Sequence, residues 1–194
     1  MSILFEHADI LVTEKDGFSE IKNGFLGVNG KKIDYIGKER PAETYDEVRN
    51  FSHKLLMPGL INTHCHAAMV MLRGLGSDLP LQEWLFEKMM PVEDRFTAPT
   101  IQAASELALL EMISTGTISF SDMYVFCDTT VQSCLKAGIK ANIARPIQCF
   151  DPNETYTSSV RAAEAAALFK EYNGAGDGRI LIDEIGRASC RERV

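Results

Sequence analysis

The dipeptide Pro58-Gly59 separates two kinds of hydrophobic pattern in this chain of 194 residues. After it, short apolar runs alternate with stretches of helical periodicity, and that alternation constrains the fold more than any other feature. The clearest helix is expected over 98–115. Thr97 is placed to cap it, Pro99 lies in its first turn and Gly116 follows as a stop, an N-terminal Pro and C-terminal Gly arrangement that suits a helix. Its apolar residues Ile101, Ala104, Leu107, Ala108, Leu110, Met112 and Ile113 form a wide stripe. Further helices are expected over 81–90, 129–137 and 158–172, and strands over 60–61, 117–121, 140–145 and 179–182. Strand–helix alternation implies parallel strands with right-handed crossovers, as a barrel or a doubly wound sheet. A complete βα barrel needs eight such units; the stretch beyond Pro58 offers about four strands, half of a barrel.

Before Pro58 the pattern is different. Apolar pairs at Ile3 and Phe5 and at Ile10 and Val12 begin a strand region. Asn23-Gly24 and Asn29-Gly30 are read as hairpin turns, since both residues tolerate positive φ. Strands follow at 25–28 and 32–36, a polar loop at 37–45, and another strand over 48–56. Strands without helix signals suggest a small β-sheet or sandwich. The expected organisation is therefore α/β: a β-sandwich segment over 1–57, a partial TIM-like barrel over 58–182, and a tail over 183–194.

Charge narrows the partners. With 20 Lys and Arg against 27 Asp and Glu the net charge is −7, and no basic run exists, so neither nucleic acid nor an anionic membrane surface is an expected partner. No apolar stretch approaches the roughly 20 residues of a bilayer span. The first residues lack the basic and apolar regions of a secretory signal. The five cysteines (Cys65, Cys127, Cys134, Cys149, Cys190) are odd in number and form no framework. Reduced thiols in the cytoplasm are the expectation.

The sharpest chemical feature is His64-Cys65-His66. Alternate strand residues share a face, so the two imidazoles point the same way, while Cys65 points to the opposite face as a small buried residue. Two neutral imidazoles side by side make half of a metal site, and βα folds place functional groups at the C-terminal ends of strands. By themselves the residues also fit two polar side chains in a loop, or a core histidine. His7 and His53 precede the motif and are expected to be ligand-free. Asp122, ending the second barrel strand, could line the site mouth, and a capping or loop role is the expectation. The glycines of 174–178 follow a helix and precede a strand, the wrong order for a dinucleotide loop.

The run Met57-Pro58-Gly59-Leu60-Ile61-Asn62-Thr63-His64-Cys65-His66 resembles the first-strand signature of the amidohydrolase superfamily. Asn62, where many members carry Asp, resembles the aminohydrolase branch, which includes the methylthioadenosine/S-adenosylhomocysteine deaminases and the triazine hydrolases. The segment from Leu72 to Leu85 and Pro91-Val92-Glu93 are similar to the same branch. The resemblance implies a β-sandwich beside a metal-bearing barrel. It implies that His64 and His66 are the first two ligands of a divalent metal, usually zinc, and that Glu93 binds the ribose hydroxyls of the substrate. It implies for Arg145, ending the third barrel strand, a contact to a substrate carboxylate. Without the resemblance, Glu93 reads as a solvated acid beside Asp94 and Arg95, and Arg145 as a surface or ion-paired residue.

The implied reaction is hydrolytic deamination of a small molecule, a purine nucleoside such as methylthioadenosine or S-adenosylhomocysteine. Zinc supplies hydroxide at neutral pH, which attacks an amino-bearing ring carbon, and ammonia leaves. The alternatives are guanine, cytosine or triazine rings as substrates, or a non-catalytic fragment or binding module. The resemblance leaves room for a homo-oligomer in the full-length protein. After the fourth strand the family continues with Gly-Pro-His, further metal ligands and the proton shuttle. The residues from Asp183 to Val194 match none of this, so no catalytic residue is expected within this chain. The natural gene is expected to be longer, with 183–194 a foreign or frame-shifted ending.

Overall fold

The computed structural model describes residues 1–147 and 155–186, and the side chains as far as 183. Cys149, Cys190, the Asn153-Glu154 pair and the tail from 187 onward lie outside the described residues. The chain divides into two compact units, with the boundary between Gly59 and Leu60.

The first unit is a single mixed sheet. Its strands are β1 (Ser2–Glu14), β2 (Gly17–Asn29), β3 (Lys32–Gly37), β4 (Glu47–Asn50) and β5 (Leu55–Leu56). They are ordered β3-β2-β1-β4, with β5 also paired to β1. β2 is antiparallel to β1, whereas β4 and β5 run parallel to it. Leu4, Ala8 and Ile10 alternate on one face of β1 and are buried. The strand expected over 48–56 is thus two short pieces, separated by a turn at Ser52-His53.

Asn23-Gly24 is not a hairpin turn. β2 runs through it, and the β1–β2 connection turns at Lys15-Asp16 instead. The dipeptide forms a β-bulge: the register shifts opposite it, between Glu6 and Ala8 and between Ala8 and Ile10. Asn23 has φ 51° and His7 across from it φ 62°, and Asn23 Oδ1 lies 3.1 Å from His7 Nδ1. A Cβ on Gly24 would sit 2.7 Å from Ile21 Cγ2 and 2.9 Å from the Gly37 carbonyl oxygen. The same tolerance that makes Asn-Gly a turn signal serves the bulge here. The β2–β3 hairpin forms where Asn29-Gly30 suggests it, but its two turn residues are Gly30 and Lys31, with Asn29 still paired to Lys32 and Gly30 at φ 59°.

The second unit carries four parallel strands in chain order: β6 (Leu60–Cys65), β7 (Thr117–Met123), β8 (Lys140–Ile147) and β9 (Ile180–Gly186). The helices α2 (Ala98–Ser114), α3 (Cys127–Ala137) and α4 (Val160–Tyr172) connect them. This is the half barrel that the alternating pattern predicts. Gly116 and Gly138 follow α2 and α3 with φ 86° and 74°, the left-handed stop that glycine adopts without strain. Ser159 caps α4 by accepting from the Ala162 N–H at 3.4 Å. Thr97 instead pairs its hydroxyl with that of Thr100 at 3.0 Å and caps only through its extended backbone.

The core lies between strands and helices. Phe120, Ile143 and Ile180 from the sheet are buried against Leu109, Val131, Cys134 and Leu168, each large side chain contributing about 1.5–3 kcal/mol. The helix expected over 81–90 is a wide π-type turn over Glu83–Met89 that runs into α1 (Met90–Glu93), and this extension delivers Glu93. Among the described residues no helix is long and apolar enough to cross a membrane.

Candidate functional site

The C-terminal end of β6 is shaped by Asn62. Pairing with β7 is irregular between Asn62 and Cys65, and the Asn62 side-chain oxygen accepts from the His64 N–H at 3.2 Å. The strand therefore presents His64 and His66 together: their rings meet edge-on, with centroids 5.2 Å apart. Cys65, between them, packs against the core on the other face. Burial pushes its thiol up to about 12, so it stays protonated and is a poor metal donor at neutral pH.

His66 is clamped by the end of β7. Its Nδ1 lies 2.8 Å from the Met123 carbonyl oxygen. A carbonyl can only accept, so Nδ1 carries the proton and the ring's lone pair falls on Nε2. An imidazole anchored through one nitrogen to a backbone carbonyl is the usual support for metal coordination by the other. The next residue is held as well: the Ala67 N–H donates to Asp122 Oδ1 at 3.1 Å, and the Met123 N–H donates to the same oxygen at 2.9 Å. Asp122 is 2% exposed, and desolvation raises its carboxyl to about 6 against those two hydrogen bonds. It caps the turn after His66, the role its sequence position suggests.

Glu93 and the histidines are brought together by a residue that sequence reasoning overlooks. Tyr124, just past β7, donates its hydroxyl to Glu93 Oε1 at 2.5 Å, and its ring lies 6.1 Å from that of His66. Burial, and then the Glu93 carboxylate, hold the phenol well above its ordinary range, so Tyr124 remains the donor. Its position beyond a barrel strand's C-terminal end was the available signal.

Arg145 is placed differently. On β8 it shares a strand face with Ala141 and Ile143, which are buried in the helix-facing core. Its Nε donates to Glu164 Oε2 of α4 at 2.7 Å. It lines a cavity of about 400 Å³ with Phe126, Asp128, Glu164 and Tyr172. His7 and His53 belong to the first unit. Among the described residues no three His, Cys, Asp or Glu side chains converge as a metal site, so His64 and His66 stand as a two-imidazole pair.

The sequence profile of the Amidohydrolase family matches residues 55–190. This chain belongs to the amidohydrolase family. Among curated relatives, this amidohydrolase is 37% identical over 184 residues to a 5-methylthioadenosine/S-adenosylhomocysteine deaminase of Dictyoglomus thermophilum, covering 94% of this chain and 41% of the relative. It is 35% identical over 178 residues to a 5'-deoxyadenosine deaminase of Methanosarcina barkeri, covering 92% and 40%. The chain thus spans about two fifths of the length of these relatives. Two solved structures share its fold. An atrazine chlorohydrolase from Arthrobacter aurescens complexed with zinc matches with TM-score 0.82 and 18% identity, over 95% of this chain and 46% of that one. An adenosine deaminase from Xanthomonas campestris with bound zinc matches with TM-score 0.82 and 24% identity, over 95% and 42%.

Proposed function

We propose that the full-length protein bearing this chain is a divalent-metal-dependent aminohydrolase that deaminates a 5'-substituted adenosine. The observation that carries this reading is the His64–His66 pair, with His66 anchored through Nδ1 to the Met123 carbonyl. The donors fit the group: imidazole nitrogens suit zinc and related cations, and the thiol between them is turned away and kept protonated. His64 and His66 would hold the metal. When bound, such an ion lowers the pKa of water to about 7 and so supplies a nucleophile at neutral pH.

The chain's other residues bind and orient. Glu93 accepts hydrogen bonds from the ribose hydroxyls and fixes the sugar beside the metal-holding imidazoles. Its carboxylate, half-buried against Tyr124, offers a charge-assisted acceptor of the kind that strengthens such contacts. The resemblance makes Arg145 the candidate for a carboxylate on the substrate's 5' arm, but on β8 it faces α4 rather than the imidazole pair. Its guanidinium is already paired with Glu164, which favours substrates with a neutral 5' substituent. The two curated relatives named above, a 5-methylthioadenosine/S-adenosylhomocysteine deaminase and a 5'-deoxyadenosine deaminase, support the substrate class. Proton transfer is assigned to no residue of this chain.

Ammonia release by the full-length, metal-loaded protein tests the reading. 5'-Methylthioadenosine and 5'-deoxyadenosine are expected to exceed guanine, cytosine and a triazine in kcat/KM by at least roughly tenfold. Turnover confined to guanine or a triazine would reassign the substrate. No release from any of them would leave the binding-module alternative.

A further inference from the structure

We infer that Tyr124 is a positioning residue that aims Glu93 at the vicinal diol of a ribonucleoside, an inference that rests on the ribose-binding role proposed for Glu93. Glu93 is the last residue of the helical run 81–93, on a long side chain with several rotamers. A glutamate so placed loses binding strength to side-chain entropy unless something else orders it. The Tyr124 hydroxyl does so, with a 2.5 Å hydrogen bond to Oε1. That leaves Oε2, and the second acceptor site of Oε1, for hydroxyl donors.

Tyr124 is well fixed to act as such a guide. It is 8% exposed, and its ring packs with Ala68, Ile101 and Ala104. Its backbone N–H donates to the Ala144 carbonyl at 3.3 Å, and its own carbonyl accepts from the Cys127 thiol at 3.3 Å. The same ring lies against His66. One rigid side chain therefore sets the spacing between the carboxylate and the imidazole pair, and with it the distance from sugar to metal.

The test measures nucleoside binding by titration calorimetry on the full-length protein. A purine ribonucleoside is compared with its 2',3'-dideoxy counterpart, and zinc stoichiometry is measured alongside. Wild type is expected to prefer the ribonucleoside by roughly a hundredfold, and Glu93→Gln to lose most of that preference. Tyr124→Phe keeps the ring and removes only the hydroxyl. It is expected to cut the preference by roughly tenfold, with affinity for the dideoxy nucleoside and zinc stoichiometry unchanged. If Tyr124→Phe keeps the full preference while Glu93→Gln loses it, the positioning role is wrong and the reading of Glu93 stands. An equal loss of affinity for both nucleosides would make Tyr124 merely structural and overturn the inference. A wild type that does not distinguish the two sugars would overturn the role of Glu93, and the inference with it.

Discussion

The C-terminal ends of β6 and β8 both carry residues that resemble family site residues, yet the strands treat them oppositely. On β6 the core-facing position is Cys65, so His64 and His66 fall on the other face and gather with Tyr124 and Glu93. On β8 the core-facing positions are Ala141 and Ile143, so Arg145 shares their face and meets Glu164 of α4. Strand parity decides which side of the sheet a residue serves, because successive side chains alternate. The comparison teaches that proximity to a strand's end is not enough. The residue must also be out of phase with the buried apolar positions.

The largest expected effect tests that phase directly. Ile143→Ala should destabilise the full-length protein by about 2–5 kcal/mol, since Ile143 is 1% exposed in the helix-facing core. Asn142→Ala, one residue away on the other face, should cost clearly less. Urea denaturation of both variants measures this, and equal losses would break the parity argument.

The second effect concerns Asp122, the clamp behind His66. Its folded-state carboxyl sits near 6, above the ordinary 3.8, because burial disfavours the charge. Its stabilising contribution is therefore fully present below about pH 4 and is lost as pH rises through 6, by about 3 kcal/mol at most. Asp122→Asn keeps an oxygen for the Ala67 and Met123 N–H groups and removes the titration. In metal-free protein the wild type should lose stability relative to the variant between pH 4 and 6. Parallel profiles would show that the carboxylate is not desolvated as the structure implies.

The smallest effect lies at β8. In the Arg145–Glu164 pair the arginine is mostly buried and the glutamate half exposed, so Glu164→Ala should cost about 1–2 kcal/mol, between a surface and a buried pair. Its value is in binding: because Arg145 faces α4, the affinity for S-adenosylhomocysteine, which carries a carboxylate, relative to 5'-methylthioadenosine should stay unchanged. A rise in that ratio would put the freed guanidinium at the substrate and break the parity argument.

What was legible in the sequence had a local cause. The alternation after Pro58-Gly59 was readable because each strand and each helix carries its own period, and Gly116 and Gly138 mark helix ends by a backbone property of glycine. The side-by-side imidazoles followed from the two-residue period of a strand. Asn23-Gly24 was misread because turns and bulges use the same positive φ, and only cross-strand register distinguishes them. Tyr124 was missed because its partner Glu93 is 31 residues away and no local pattern joins them. The Met123 carbonyl that orients His66 is a backbone atom, so no residue type announces it.

Zinc titration of the metal-free, full-length protein tests the central claim most directly. With His64 and His66 as ligands, the wild type should take up zinc tightly, and the His64→Ala/His66→Ala double variant should bind it at least roughly a hundredfold more weakly while its circular dichroism spectrum is retained. Unchanged zinc affinity and stoichiometry in the double variant would contradict the claim that these two imidazoles hold the metal.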